Sequence, residues 1–276
     1  MIRLYKTLPP PRNPTKTVRS KLRVIKMLAT KYRADYEAGA RNFGTEFKAC
    51  VNHYKHKDIV EQLESDQHKK CCYCEGNPLA HGYMEVEHFR PKAEVKDGST
   101  TLRPGYYWLV CDWENLYWSC KKCNGANKGT QFPLMPNSPA RARKHGDPIK
   151  DELPVLVDPY KDDPSDFFEW REEAVRGCDR EARGNESIRI YGLARSDLVE
   201  RRINTLEQLK SFIKLYKYAV RDDDTDEMEE NLTAIKRMVS PAGLFSAMCR
   251  AYLRRYIQGN SQYIHVILLE EHVGPL

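Results

Sequence analysis

The sequence predicts an α+β fold, with a small strand-and-turn unit held inside a mostly helical shell, on three observations. Two Cys-x2-Cys pairs, Cys71/Cys74 and Cys120/Cys123, bracket the stretch 71–128. Between them the sequence is rich in aromatics, turns and short alternating runs; outside them, apolar residues recur at the three-and-four spacing of amphipathic helices. Composition sets the frame: 276 residues, 41% hydrophobic and 30% charged, suit a soluble globular chain with length for one large domain or two modest ones. No apolar run approaches the ~20 residues of a membrane-spanning helix, and the tail segment 263–269 is too short. The stretch 1–11 ends in prolines before an apolar signal region forms. The expectation is a cytoplasmic protein with no membrane partner.

The chain divides into four regions. In 1–69, apolar side chains at 18, 22, 25, 29, 32 and 36 predict a helix stopped near Gly39, and a shorter helix follows over about 58–68. This end is basic: 1–72 holds 16 Lys/Arg against 7 Asp/Glu, although the whole chain carries only +6. Such an excess fits either phosphate-backbone contact or a solvated helix surface. In 70–134, the run Met84-Glu85-Val86-Glu87-His88 reads as a strand stopped by Pro91, 113–120 as a second strand, and a helical turn begins at Cys123. Region 135–195 is an irregular linker with a short strand near 155–157. Region 196–276 is helical: Ser196 is the expected N-cap for apolar positions 199, 203, 206, 209, 213, 216 and 220. Two more helices follow over 227–239 and 241–257, the second with Ser240 as N-cap and Pro241 in its first turn.

Nine cysteines is an odd number in a chain without an export signal, which points away from a disulfide framework and toward metal ligation or buried thiols. Two Cys-x2-Cys pairs supply the four thiolates of a closed, tetrahedral structural zinc site. The ligands are therefore Cys71, Cys74, Cys120 and Cys123. Cys72 is an alternative ligand whose spacing partner would be Glu75, while Cys50, Cys111, Cys178 and Cys249 read as core. His81 reads as a surface histidine. Tyr106, Tyr107, Trp108, Trp113 and Trp118 can stack on bases or pack the small core.

Glu87-His88, Asn115 and Cys123-Asn124-x-x-Lys128 resemble the ββα-metal fold of HNH endonucleases, in the variant whose last His is Asn. Within that group, Cys-x-Tyr-Cys-Glu (71–75), Val-Glu-His-Phe-Arg-Pro-Lys (86–92), Tyr-Trp (107–108), Asn-Leu (115–116), Ser-Cys-x-x-Cys-Asn (119–124) and Lys-Gly-x-x-Phe-Pro-Leu (128–134) are similar to the PtuB-type nucleases of Septu and retron-associated antiphage systems. The resemblance is dense over about 70–134. It implies a zinc-stapled ββα-metal core in which His88 is the general base that activates water. Glu87, where most HNH proteins have Asp, and Asn124 are then the ligands of a catalytic Mg²⁺ or Mn²⁺, and Asn115 positions the base. Arg90 and Lys128 are candidates for phosphate contact.

The expected function is thus hydrolysis of phosphodiester bonds in DNA or RNA, as the effector of an antiphage complex. The implied partner is a PtuA-like ABC-type ATPase, and a retron reverse transcriptase with its RNA/DNA is a further candidate. The alternative is a zinc-braced nucleic-acid-binding or docking subunit without catalysis of its own.

Overall fold

The structure, a computed structural model, describes residues 1–6, 54–77, 83–110 and 112–259. The helix expected over 18–36, most of the basic N-terminal region, His81 and the tail 263–269 lie outside these residues. Among the described residues no helix is long and apolar enough to cross a membrane.

Helix α1 (Lys57–Asp66) opens at His56, whose Nδ1 accepts a hydrogen bond from the Asp58 amide at 3.3 Å, and it buries Ile59 and Leu63. Strand β1 (Met84–His88) pairs antiparallel with β4 (Leu116–Cys120), in the register Met84↔Cys120 through His88↔Leu116. The connection carries a small ribbon, β2 (Val95–Asp97) with β3 (Thr100–Leu102). The second strand is shorter than its sequence implied. Asp112 accepts from the Glu114 amide and winds Trp113–Asn115 into a tight turn before β4 starts.

Directly after β4, residues Lys122–Lys128 form a π helix rather than an α-helical turn, and the Gly129 amide reaches the Asn124 carbonyl at 2.6 Å. No strand forms at 155–157. A lone bridge joins Leu134 to Pro154, and the Val155 amide bonds to the Pro133 carbonyl.

A hairpin of β5 (Phe168–Arg171) and β6 (Ala174–Gly177) leads to α2 (Arg183–Tyr191), so the region expected to be an irregular linker contains a helix. Gly192 closes α2 with φ +64, and a Cβ there would meet Asn127 Oδ1 at 2.3 Å, so only glycine lets α2 end against the π helix. Helix α3 (Ser196–Arg221) follows with Arg195, not Ser196, as its cap residue. Helix α4 (Thr225–Val239) packs extensively on α3.

The last described helix, α5, runs Ser246–Gly259, so the expected start at Ser240–Pro241 is displaced. Ser240 instead ends α4, its amide bonding to the Lys236 carbonyl. The chain then folds back so tightly that a Cβ on Gly243 would meet the Met238 carbonyl at 2.2 Å.

Alternation along β1 and β4 splits the interior in two. Val86, Leu116 and Trp118 face α1 with Tyr54, Ile59 and Leu63. The other face belongs to the main core, in which the cysteine knuckles, Tyr73, Tyr117, Tyr191, Leu198 and Leu253 are continuous. The rings of Tyr73 and Tyr191 stack at 3.9 Å, joining the first knuckle to α2. Glu75 anchors α5 to the same knuckle. It is buried, it pairs with the Met1 ammonium at 2.6 Å and Lys70 at 3.8 Å, and it accepts from Ser246 and the Ala247 amide. Burial alone would raise its pKa, but the Met1 and Lys70 charges and these hydrogen bonds outweigh that and hold it down to about 2. Glu75→Ala leaves two buried cations without a counter-charge. Chemical denaturation should show a loss of about 3–5 kcal/mol, and an unchanged midpoint would contradict this account.

Candidate functional site

The first knuckle is a turn at 71–74, tightened by bonds from the Cys71 amide to the Gly76 carbonyl and from the Glu75 amide to the Cys71 carbonyl. Glu75 takes φ +61 to complete it. The second knuckle is the end of β4 and the start of the π helix. There the Cys123 amide donates to Cys120 Sγ at 3.4 Å. The Sγ atoms of Cys71, Cys74, Cys120 and Cys123 lie within 4.8 Å of one another, all buried, with Cys74 and Cys120 at 4.0 Å. A tetrahedron with zinc–sulfur bonds of about 2.3 Å has sulfur–sulfur edges of roughly 3.8 Å, so the donor set fits zinc closely. Cys72 is buried but outside the cluster, and its amide ties the first knuckle to the Trp118 carbonyl.

Four thiolates around a divalent ion leave a net double negative charge, and the chain answers it with arginine. Arg195, at the α2–α3 junction, donates to Cys123 Sγ at 3.4 Å and to the Gly192 carbonyl at 2.9 Å. No sequence signal marked it, because it lies far along the chain from the cysteines it serves.

Beside the cluster lies the acidic face of the hairpin. Glu85 and Glu87 are two apart on β1 and so share the face that carries Tyr117 and Ser119 on β4. Asn124 Nδ2 donates to Glu85 Oε1 at 2.9 Å, whereas Glu87 accepts from Lys128 Nζ at 2.7 Å and from the Tyr73 hydroxyl at 3.2 Å. Asn124 is therefore bonded to Glu85, while the expected ligand Glu87 is engaged by Lys128 and Tyr73; Glu85 was not among the expected ligands. Its position two residues before Glu87 was the available signal.

His88 points to the opposite face. Its Nε2 lies 2.9 Å from the Val110 carbonyl, and its ring meets Tyr54 edge-on at 4.6 Å. A carbonyl only accepts, so Nε2 carries the proton and Nδ1 keeps its lone pair, 3.3 Å from Lys92 Nζ. Burial first, then Lys92 and Lys128, push the His88 pKa down to about 3 against the opposing Val110 bond. The imidazole is neutral at neutral pH. Lys92 links the two faces: Glu87 and Glu85 act on its ammonium as well as Lys128, and burial lowers its pKa.

Asn115 is a backbone staple. Its Oδ1 accepts from the Arg90 amide at 2.8 Å, and its Nδ2 donates to the carbonyls of Arg90 and Leu109. Arg90 and Lys128 face inward. Arg90 donates to buried Glu152 at 3.1 Å and lies over Phe132, while Lys128 is fully buried on Glu87 and the His88 carbonyl. Both residues, expected as candidates for phosphate contact, are engaged here by internal carboxylates.

Two predictions follow from this geometry. Elemental analysis of purified protein should give one zinc per chain, retained in Cys72→Ala and lost in Cys71→Ser or Cys123→Ser. Glu87→Gln strands the Lys128 ammonium and should cost about 3 kcal/mol or more in denaturant melts. Half-buried Glu85→Gln should stay within about 0.5 kcal/mol of the parent, and the reverse order would mean that Glu85 carries the structural charge.

The chain is 32% identical over 207 residues to the Septu protein PtuB of Bacillus mycoides (strain KBAB4), covering 70% of each protein. It is 45% identical over 62 residues to the Septu protein PtuB of Bacillus thuringiensis, covering 22% of this chain and 20% of that one. No family model matches the chain, and no solved structure matches it. The first relationship spans the greater part of both proteins, and with it the chain belongs to the PtuB family of Septu proteins.

Proposed function

We propose that this PtuB-family chain is a metal-dependent endonuclease of the HNH type, acting in antiphage defence. The observation that carries the reading is the state of His88. Its Nε2 proton is held by the Val110 carbonyl, which leaves the Nδ1 lone pair facing Lys92 Nζ at 3.3 Å. Burial and Lys92 keep the ring unprotonated but weaken it as a base, so displacement of Lys92 as substrate arrives would raise its proton affinity toward the working range.

Glu85, Glu87 and Asn124 offer oxygen donors on one face of the hairpin, the chemistry that Mg²⁺ or Mn²⁺ prefers. Lys128 already neutralises Glu87, so a divalent ion would meet Glu85 and Asn124 first and would have to share or displace that ion pair to reach Glu87. When bound there, a divalent ion supplies charge stabilisation to the scissile phosphate and its leaving oxygen. Asn115 fixes the loop from Arg90 to Leu109, and through the Val110 carbonyl that loop fixes the imidazole. Lys92, between Nδ1 and the carboxylates, is suited to holding the phosphate or to releasing the base as substrate arrives.

His88 is only 4% exposed, and Lys128 closes Glu87. Substrate access therefore needs a shift of Lys92 or of the loop around Val110. This favours control by a partner, for which the PtuA-like ATPase of a Septu system is the natural candidate. The same closure is the observation behind the second reading, a zinc-braced docking subunit without catalysis.

With Mn²⁺ or Mg²⁺ and its ATPase partner, the full chain should cleave DNA or RNA. His88→Ala should slow cleavage by about 100-fold or more while zinc content and melting temperature stay as in the parent. A complex that cleaves neither polymer would leave the docking role as the function.

A further inference from the structure

The second half of α3 is a cationic ridge. Between Glu207 and Asp222 the helix carries no acid, and Lys210, Lys214, Lys217 and Arg221 follow one another at spacings of four, three and four residues. That interval keeps them on one stripe of the helix, about 16 Å long. The stripe lies one residue, or about 100°, beyond the buried line Leu209, Ile213 and Tyr216.

Tyrosines interleave with these cations. Lys210 lies 5.2 Å from the Tyr252 ring of α5, and Lys217 lies 6.0 Å from Tyr256. Lys214 and Arg221 flank Tyr218 at 5.6 and 5.1 Å. The rings of Tyr252 and Tyr256 stack on each other at 6.3 Å, and Tyr218 is 43% exposed. The acidic start of α4 is on the other flank of α3, where Glu227 and Glu230 line a groove with Phe212 and Leu215. The acids that do touch the ridge are at its ends: Glu172 pairs with Lys210 at 2.6 Å and Asp222 with Arg221 at 2.7 Å. These are exposed pairs, which a polyanion can displace.

We propose that this ridge, with Tyr218, Tyr252 and Tyr256, binds single-stranded nucleic acid. A row of cations that tracks one strand, interleaved with aromatic rings, is how sequence-tolerant single-strand binding is built. The beginning of α3 is fixed at the second cysteine knuckle, where Lys122 pairs with Asp197 at 2.7 Å. From Asp197 the ridge begins about 20 Å along the helix, within reach of a strand a few nucleotides long. The inference deepens the nuclease reading by naming a surface that holds the substrate strand.

The test is fluorescence anisotropy of a labelled 30-nucleotide single strand with the full chain, without added divalent ion. Binding is then read apart from hydrolysis. Lys210→Gln/Lys214→Gln/Lys217→Gln should weaken binding at least tenfold and reduce the slope of log affinity against log salt by about 2, with the melting temperature unchanged. Tyr218→Ala should weaken binding while leaving that slope in place. Parental affinity and slope in the triple variant, or a loss seen only with duplex, would overturn the proposal. A triple variant that keeps the oligonucleotide but releases the ATPase partner would also overturn it, assigning the ridge to an acidic protein surface. Cleavage without ridge-dependent binding would sink this inference and spare the nuclease; ridge-dependent binding without cleavage would do the reverse.

Discussion

Four sulfur atoms hold together parts of the chain that have little else to join them. The first knuckle follows α1, the second ends β4 and starts the π helix, and the residues between them contain both strands of the central hairpin. A two-stranded hairpin is marginal by itself. Here its ends are fixed because Cys120 terminates β4 within the cysteine cluster while Gln67, before the first knuckle, and Cys72, within it, bond to Trp118. The register of β1 on β4 follows, and with it which side chains meet the π helix and which meet α1. The shell is tied to the same point through Arg195 at Cys123 and Tyr191 on Tyr73.

Around that cluster the protein buries several charges, and three of the carboxylates have cationic partners. Glu75 has Met1 and Lys70, Glu87 has Lys128, and Glu152 has Arg90. Arg202, fully buried on α3, donates to the Leu193 carbonyl and lies 4.8 Å from the Trp170 ring. Such pairs add little net stability over apolar residues of equal volume but penalise any packing that separates them. They act here as keys that fit only one arrangement of knuckle, hairpin and helices. His88 differs: it is buried beside Lys92 and stays uncharged.

Local spacing made the most legible features legible. Two Cys-x2-Cys pairs needed no tertiary knowledge to be read as one cluster, and the cluster fits zinc. The helices of the last region were readable from their apolar period, and membership of the PtuB family from the strings around the knuckles. What stayed hidden depends on phase and on distant contacts. Whether Asn124 meets Glu85 or Glu87 is decided by the winding of the π helix, which no residue pattern announces. The inward turn of Arg90 depends on Glu152 in the linker, and that of Lys128 on the strand face of Glu87. Ser240 and Pro241 had the chemistry of a helix start, but the tight approach of Gly243 to α4 moved that start to Ser246.

The separation of β1 from β4 in sequence also bears on how the protein is born. Residues 89–115 intervene between two strands that must pair, so the hairpin closes a long loop instead of zipping from a turn, and non-local pairing of this kind is slow. During synthesis the first knuckle and β1 leave the ribosome well before Cys120 and Cys123. The acids of β1 and His88 therefore have neither their partner strand nor Asn124 and Lys128 until the second knuckle follows. A ribosome that stalls in the intervening stretch releases a fragment with half of the cysteine cluster and an unpaired acidic strand, and assembly of both becomes a late event in the life of the nascent chain.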